Sequence, residues 1–191
     1  MTINPQPGDA GFSTIPGMPG KVPYWGMALL RDACRFDHAF WVVNALDDPE
    51  HPDGRIIQAM PRGAEYQPLR HRIAPGFAYA HVDLTDAQRV MVPAIAEGFV
   101  QARGGRGVGY SWMSYPALAA IDAELPIPRL KAYIGNSNRL ICSQLVDEGL
   151  RRVGYHVFTD GRWRLDVTPG DLYYALDPRV VVPAPPAVDG A

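Results

Sequence analysis

The sequence predicts one domain of mixed α and β structure, with antiparallel strands early in the chain and amphipathic helices later. Three observations carry this. His38-Ala39-Phe40-Trp41-Val42-Val43 and Arg55-Ile56-Ile57-Gln58-Ala59-Met60 are dense in aromatic and β-branched residues, and Pro52-Asp53-Gly54 supplies turn chemistry between them. Thr85-Asp86-Ala87-Gln88 has the spacing of a capping box and announces a helix. Behind Cys142, the apolar residues Leu145, Val146, Leu150 and Val153 repeat with helical period.

The elements follow in order. Residues 1–22 are rich in proline and glycine, and Gly8-Asp9-Ala10-Gly11-Phe12 is the stretch that resembles a short edge strand. A helix is expected over about residues 23–33. The two strands above form an antiparallel hairpin, which places His38 near the start of one strand and Gln58 late on its partner. A third strand is expected over residues 78–83. The capping-box helix then runs to about Arg103, with Pro93 imposing a kink or an early break. The glycine-rich run 104–109 ends it as a loop between helices, followed by the aromatic residues Tyr110, Trp112 and Tyr115 and a short helix over about 116–124. The Cys142 helix ends at Gly154, a residue suited to a left-handed cap. Short strands are expected at 162–167 and 171–174. The domain spans residues 1–176, and 177–191 form a proline-rich extended tail.

Composition bounds the function. The chain has 191 residues, 20% charged and 47% hydrophobic, with a formal net charge of −2. General disorder and electrostatic attraction to nucleic acid are both disfavoured, and Arg151-Arg152 reads as a solvated helix face. The two cysteines, Cys34 and Cys142, match no paired zinc-ligand spacing and make no disulfide framework. No apolar run reaches membrane-spanning length. The N-terminus has neither a basic region nor an apolar core of signal-peptide type, so synthesis in the cytoplasm is expected; this does not fix the site of action, because release by lysis or carriage in a particle needs no signal peptide.

Several motifs fail on inspection. No Gly-Lys-Ser or Gly-Lys-Thr follows the run at 104–109, and a dinucleotide fingerprint would need a third glycine at Tyr110. Gly109-Tyr110-Ser111-Trp112-Met113 matches a serine nucleophile elbow for four positions and then breaks at Met113. Among His38, His51, His71, His81 and His156, no two have metal-binding spacing; His51 falls in the turn and His81 mid-strand.

Cys142 admits two readings. At the start of a helix, after the turn-prone Gly135-Asn136-Ser137-Asn138, the dipole and the first-turn N–H groups favour a thiolate. The same residue shares a helical face with Leu145 and Val146, where a buried, inert cysteine is the common case. A partner histidine separates the two, and His38 begins a strong strand directly after a polar stretch.

Taken together, Gly8-Asp9-Ala10-Gly11-Phe12, Asp37-His38-Ala39-Phe40-Trp41-Val42-Val43, Ile57-Gln58-Ala59 with Gly63, and Cys142-Ser143-Gln144-Leu145-Val146 resemble the circularly permuted branch of the NlpC/P60 cysteine hydrolases, in which the histidine strand precedes the cysteine helix. The resemblance implies a papain-like α+β fold, with the cysteine helix packed on a small antiparallel sheet that carries the histidine. It implies Cys142 as nucleophile, His38 as base and Gln58 as the third polar residue, where some relatives carry a carboxylate. Tyr110, Trp112 and Ser143 are the expected substrate contacts, and no metal or other cofactor is required. The implied activity is hydrolysis of an amide in a peptide of the cell wall, by a thiol peptidase or amidase. Lipid amides, esters or acyl transfer, and an inactive module within a larger particle, are the rival readings.

Overall fold

The computed structural model describes residues 4–14, 34, 36–74, 76–110, 139–163, 166–178 and 180–181. The architecture is α+β. Six strands form one sheet: β1 (Ala10–Ser13), β2 (His38–Asn44), β3 (Arg55–Met60), β4 (Gly63–Pro68), β5 (Ala78–Ala80) and β8 (Val180–Val181), in the order β4-β3-β2-β1-β5-β8. Every pairing in it is antiparallel. A second ribbon pairs β6 (Gly109–Tyr110) in parallel with β7 (Arg139–Leu140). The helices are α1 (Asp86–Gly105), α2 (Cys142–Arg152) and α3 (Pro169–Leu176), and Leu69–Arg72 forms a 3-10 turn after β4.

The hairpin forms as the turn chemistry dictates, with Trp41 opposite Ile57 and Val42 opposite Ile56, and a register shift before Asn44. Residues 8–12, expected as an edge strand, instead contribute β1 near the centre of the sheet, between β2 and β5. Long-range pairing decides this, and local sequence carries no record of it. The expected third strand ends at Ala80, because the Val82 N–H bonds to Asp9 Oδ1 rather than to a neighbouring strand. Strand β4 was not expected; its sequence Gly-Ala-Glu-Tyr-Gln-Pro has little β-branched content and only half-buried side chains beyond its first two residues.

Thr85 caps α1 as expected, its hydroxyl accepting from Gln88 N–H while Gln88 Oε1 accepts from Thr85 N–H. The backbone leaves helical angles at Ala102, Arg103 and Gly104 rather than at Pro93. The run at 104–109 leads into β6. Helix α2 closes on Gly154 at φ +85°, with Gly154 N–H bonded to Arg151 O and Tyr155 N–H to Leu150 O, a Schellman-type stop. Residues 171–174, expected as a strand, are helical. Thr168 caps Asp171 N–H, Asp171 returns the bond to Thr168 N–H, and Pro169 occupies the first turn, so capping outweighs side-chain propensity. No strand occurs at the described residues of 162–167. The helices expected at 23–33 and 116–124 lie outside the described residues.

Alternation divides the sheet into two apolar faces. Ala10, Phe12, Ala39, Trp41, Val43, Ile57 and Ala59 pack with Leu145, Val146 and Leu150 of α2 and with Val92, Ala96 and Phe99 of α1. Phe40, Val42, Ile56, Leu69 and Tyr79 form a smaller cluster on the other face. Helix α2 seats closely on β2: a Cβ on Gly149 would come within 2.7 Å of the Trp41 ring. The Trp41 indole is itself fixed by donating to Gly8 O at 3.0 Å.

This contact predicts a result opposite in sign to helix propensity. Alanine in place of glycine gains about 1 kcal/mol inside a helix, whereas overpacking a core costs about 1–3 kcal/mol. Gly149→Ala should therefore lower stability in urea denaturation and Gly149→Val should lower it further; an alanine variant more stable than the wild type would refute the close seating of α2.

Candidate active site

Strand β2 begins at His38 and helix α2 begins at Cys142, so the two candidate side chains sit at the ends of neighbouring elements. Both are buried, His38 at 2% and Cys142 at 1% exposure. Extending the β2–β3 register by one residue sets Phe40 opposite Gln58, which makes Gln58 the diagonal neighbour of His38 on the same face. The His38 Nε2–H donates to Gln58 Oε1 at 2.9 Å, fully buried. That bond fixes the proton on Nε2 and leaves Nδ1 as the nitrogen that can exchange a proton with a thiol.

The electrostatics agree. Burial alone pulls the His38 pKa down, but the Cys142 sulfur, through charge and hydrogen bonding, and then the Gln58 amide raise it above the ordinary imidazole value; Arg72 opposes them. An imidazole made more basic by an adjacent sulfur is suited to accept a thiol proton. Cys142 lies at the positive end of α2, where Leu145 N–H is bonded to Ile141 O and Gln144 Oε1 accepts from Ile141 N–H. The turn of chain that delivers the cysteine is thus pinned by its own third residue.

Gln58 is itself held. Its Oε1 also accepts from Arg72 Nη2 at 3.3 Å, and its Nε2 points to Glu65 Oε1 at 3.5 Å, the residue directly opposite on β4. Gln67 closes the ring, donating to Glu65 at 2.9 Å and accepting from Arg72 at 2.6 Å. Arg72 lies over the Phe40 and Phe77 rings, and Tyr79 donates its hydroxyl to Arg72 O. Arg72 and Glu65 were not among the expected site residues. Arg72 belongs to a polar loop in the sequence, and Glu65 is legible only once β4 is known to pair with β3.

Cys142, His38 and Gln58 are therefore brought together. Ser143, expected at the substrate, is buried and donates its hydroxyl to Val167 O at 2.7 Å, tying α2 to the chain before α3. Trp112 lies outside the described residues, and of Tyr110 only the backbone, paired in β6, is described. Asp9 of the Gly-Asp pair serves the fold: its carboxylate accepts from Gln6 N–H, Val82 N–H and Arg89, and faces His81, which is exposed beyond β5 rather than mid-strand. Among the described residues, no group of three His, Cys, Asp or Glu side chains could hold a metal ion, and no helix is long and apolar enough to cross a membrane.

No protein-family model matches the chain, and no curated protein matches its sequence. The likeness to the NlpC/P60 hydrolases therefore rests on the short motifs and their order.

Further along α2, Asp147 lines a cavity of about 150 Å³ with Arg151, His156 and Arg162. Burial, and then Glu148, push its pKa up to about 6, against the pull of the two arginines and His156. A carboxyl that holds its proton more tightly when folded favours the fold below about pH 4. That stability is lost as pH rises towards 6, because the unfolded chain ionises first. Asp147→Asn should match the wild type below pH 4 and exceed it by about 2 kcal/mol at pH 7–8 in denaturant titrations. Equal stability of the two proteins at pH 8 would contradict the burial of this charge.

Proposed function

We propose that the chain is a thiol hydrolase with a permuted papain-like arrangement, in which Cys142 is the nucleophile, His38 the base and Gln58 the residue that orients the ring. One observation carries this reading: the Cys142 sulfur raises the basicity of an imidazole whose other nitrogen is already committed to a buried amide. A merely structural cysteine needs no such partner.

The chemistry runs as follows. His38 Nδ1 takes the proton of the Cys142 thiol, and the thiolate attacks the carbonyl carbon of an amide. The N–H groups at the start of α2 face the oxygen that becomes negative. As the C–N bond breaks, Nδ1–H gives its proton to the departing amine and a thioester remains. His38, again neutral, then takes a proton from water, hydroxide adds to the thioester, and the acid and the free thiol are released. Gln58 keeps Nε2–H in place through each transfer. As a neutral amide beside Arg72, it stabilises the imidazolium less than a carboxylate would, which keeps the ring ready to release its proton.

The substrate proposed is a peptide of the bacterial cell wall, in line with the resemblance of the motifs to NlpC/P60 hydrolases, with action on the wall following release or delivery.

The reading is tested by chemistry at one atom. Cys142 should be alkylated by iodoacetamide well below pH 8. Cys142→Ala should abolish hydrolysis with the fold intact, and His38→Ala should slow it by roughly 10²–10⁴-fold. Free amines released from purified peptidoglycan, set against turnover of acyl esters, distinguish a peptide substrate from a lipid one. A thiol inert below pH 8 would leave Cys142 as core packing and the chain as a binding module.

A further inference from the structure

Two buried side-chain polar atoms stand out among the described residues as having no hydrogen bond of ordinary geometry: His38 Nδ1 and Ser13 Oγ. They belong to one pair. Ser13 closes β1 directly opposite His38 on β2, so their side chains leave the same face of the sheet. Two residues along, Gly11 faces Phe40, whose ring covers the space a Cβ would take, which fixes the direction of that face. Glu65 and Gln58 form the next opposed pair on β4 and β3. Four adjacent strands thus carry a polar row, Ser13, His38, Gln58 and Glu65, across the face that also carries Phe40, Val42 and Ile56. Gln58 serves the Nε2 edge of the imidazole, and Ser13 flanks the ring from the opposite strand.

A hydroxyl that is 98% buried and unbonded weakens the fold, since desolvation is not returned by a hydrogen bond. Alanine would serve packing better at this position. A serine kept there has a partner in another state of the site, and the imidazole beside it is the group whose hydrogen-bonding character changes during catalysis.

We propose that Ser13 is a positioning residue for His38: its hydroxyl oxygen accepts Nδ1–H of the protonated ring once the Cys142 sulfur has bonded to the substrate carbon and no longer attracts that proton. This rests on the thiol-hydrolase reading. Before attack, the thiolate holds Nδ1–H. After attack the sulfur is neutral, and without another acceptor the imidazolium would be buried with one N–H unsatisfied. Ser13 satisfies it until the proton passes to the leaving amine, and no bond to Ser13 forms or breaks. The other groups that bear on the ring are Cys142 from α2, Arg72 from the 3-10 turn, Glu65 through Gln58, and Tyr79 through Arg72.

Cys142 alkylated with iodoacetamide reproduces the relevant state, a neutral sulfur beside a ring that can be titrated. In the alkylated wild type, His38 followed by NMR should titrate higher than in alkylated Ser13→Ala by roughly 0.4–1.1 pH units, the worth of one hydrogen bond. Ser13→Thr, which keeps the oxygen, should restore the wild-type value. Ser13→Ala should also melt at the same temperature as the wild type or higher. Coincident His38 titrations in the wild type and Ser13→Ala overturn the proposal, and so does a lower melting temperature for Ser13→Ala, which would mark a structural hydrogen bond. Failure of wild-type Cys142 to alkylate is a different result, and it counts against the thiol-hydrolase reading itself.

Discussion

The seat of α2 on the Trp41 ring is the contact on which the rest of the molecule depends. Trp41 is fully buried, donates its indole N–H to Gly8 O, and packs its ring against Gly149 at a distance that leaves no room for a Cβ there. Three parts of the chain meet at this one ring: the turn before β1, the middle of β2 and the middle of α2. A side chain as large as tryptophan dominates local burial energetics, and glycine opposite it lets the helix axis approach the sheet. Once α2 is held there, its first residue is carried to the end of β2 where His38 stands. Gln88 secures the other end of α2 by donating to Val153 O from the cap of α1.

That seating places the helix and the polar row in different layers. Leu145, Val146 and Leu150 belong to the core shared with Trp41 and Ile57, whereas His38, Gln58 and Ser13 alternate onto the face of Phe40 and Ile56. The thiol meets the imidazole because both sit at the termini of their elements, where a helix end can reach past the end of a strand. The proposed dyad, built this way, needs little of the helix beyond its first turn. The remaining turns supply rigidity, and the residues that do so can be wholly apolar without touching the chemistry.

What the sequence disclosed and what it concealed follow from the range of the interactions involved. The β2–β3 hairpin was legible because propensity, alternation and turn chemistry within some twenty residues all agree, and the same holds for the Thr85 cap and the Gly154 stop. The placement of β1 between β2 and β5 was not, because its partners lie far along the chain. Residues 171–174, expected as a strand, are helical because the reciprocal Thr168–Asp171 cap and Pro169 in the first turn favour a helix and prevail. Within the site, Cys142, His38 and Gln58 carry recognisable chemistry in recognisable settings. Ser13 and Glu65 are ordinary residues that acquire significance only through register, as the partners opposite His38 and Gln58.

Register also separates two kinds of buried polar group in this chain, and the separation rests on satisfaction rather than on residue type. Asp9 is as buried as His38, yet its carboxylate is met by two backbone N–H groups and by Arg89, so every demand of its charge is answered in the resting fold. Such a group stabilises one arrangement and has nothing left to offer a reaction. Gln58 stands between the cases: its oxygen is shared by His38 and Arg72, and its amide is steered by Glu65. Among the described residues, Ser13 Oγ and His38 Nδ1 are the buried side-chain atoms without a hydrogen bond of ordinary geometry. Folding alone would remove an open polar atom from a core, because each costs about 1–3 kcal/mol. Under the proposed thiol-hydrolase reading, their adjacency on paired residues beside the thiol that raises the basicity of the imidazole is what a site keeps when its hydrogen bonds are completed by the reaction and not by the fold.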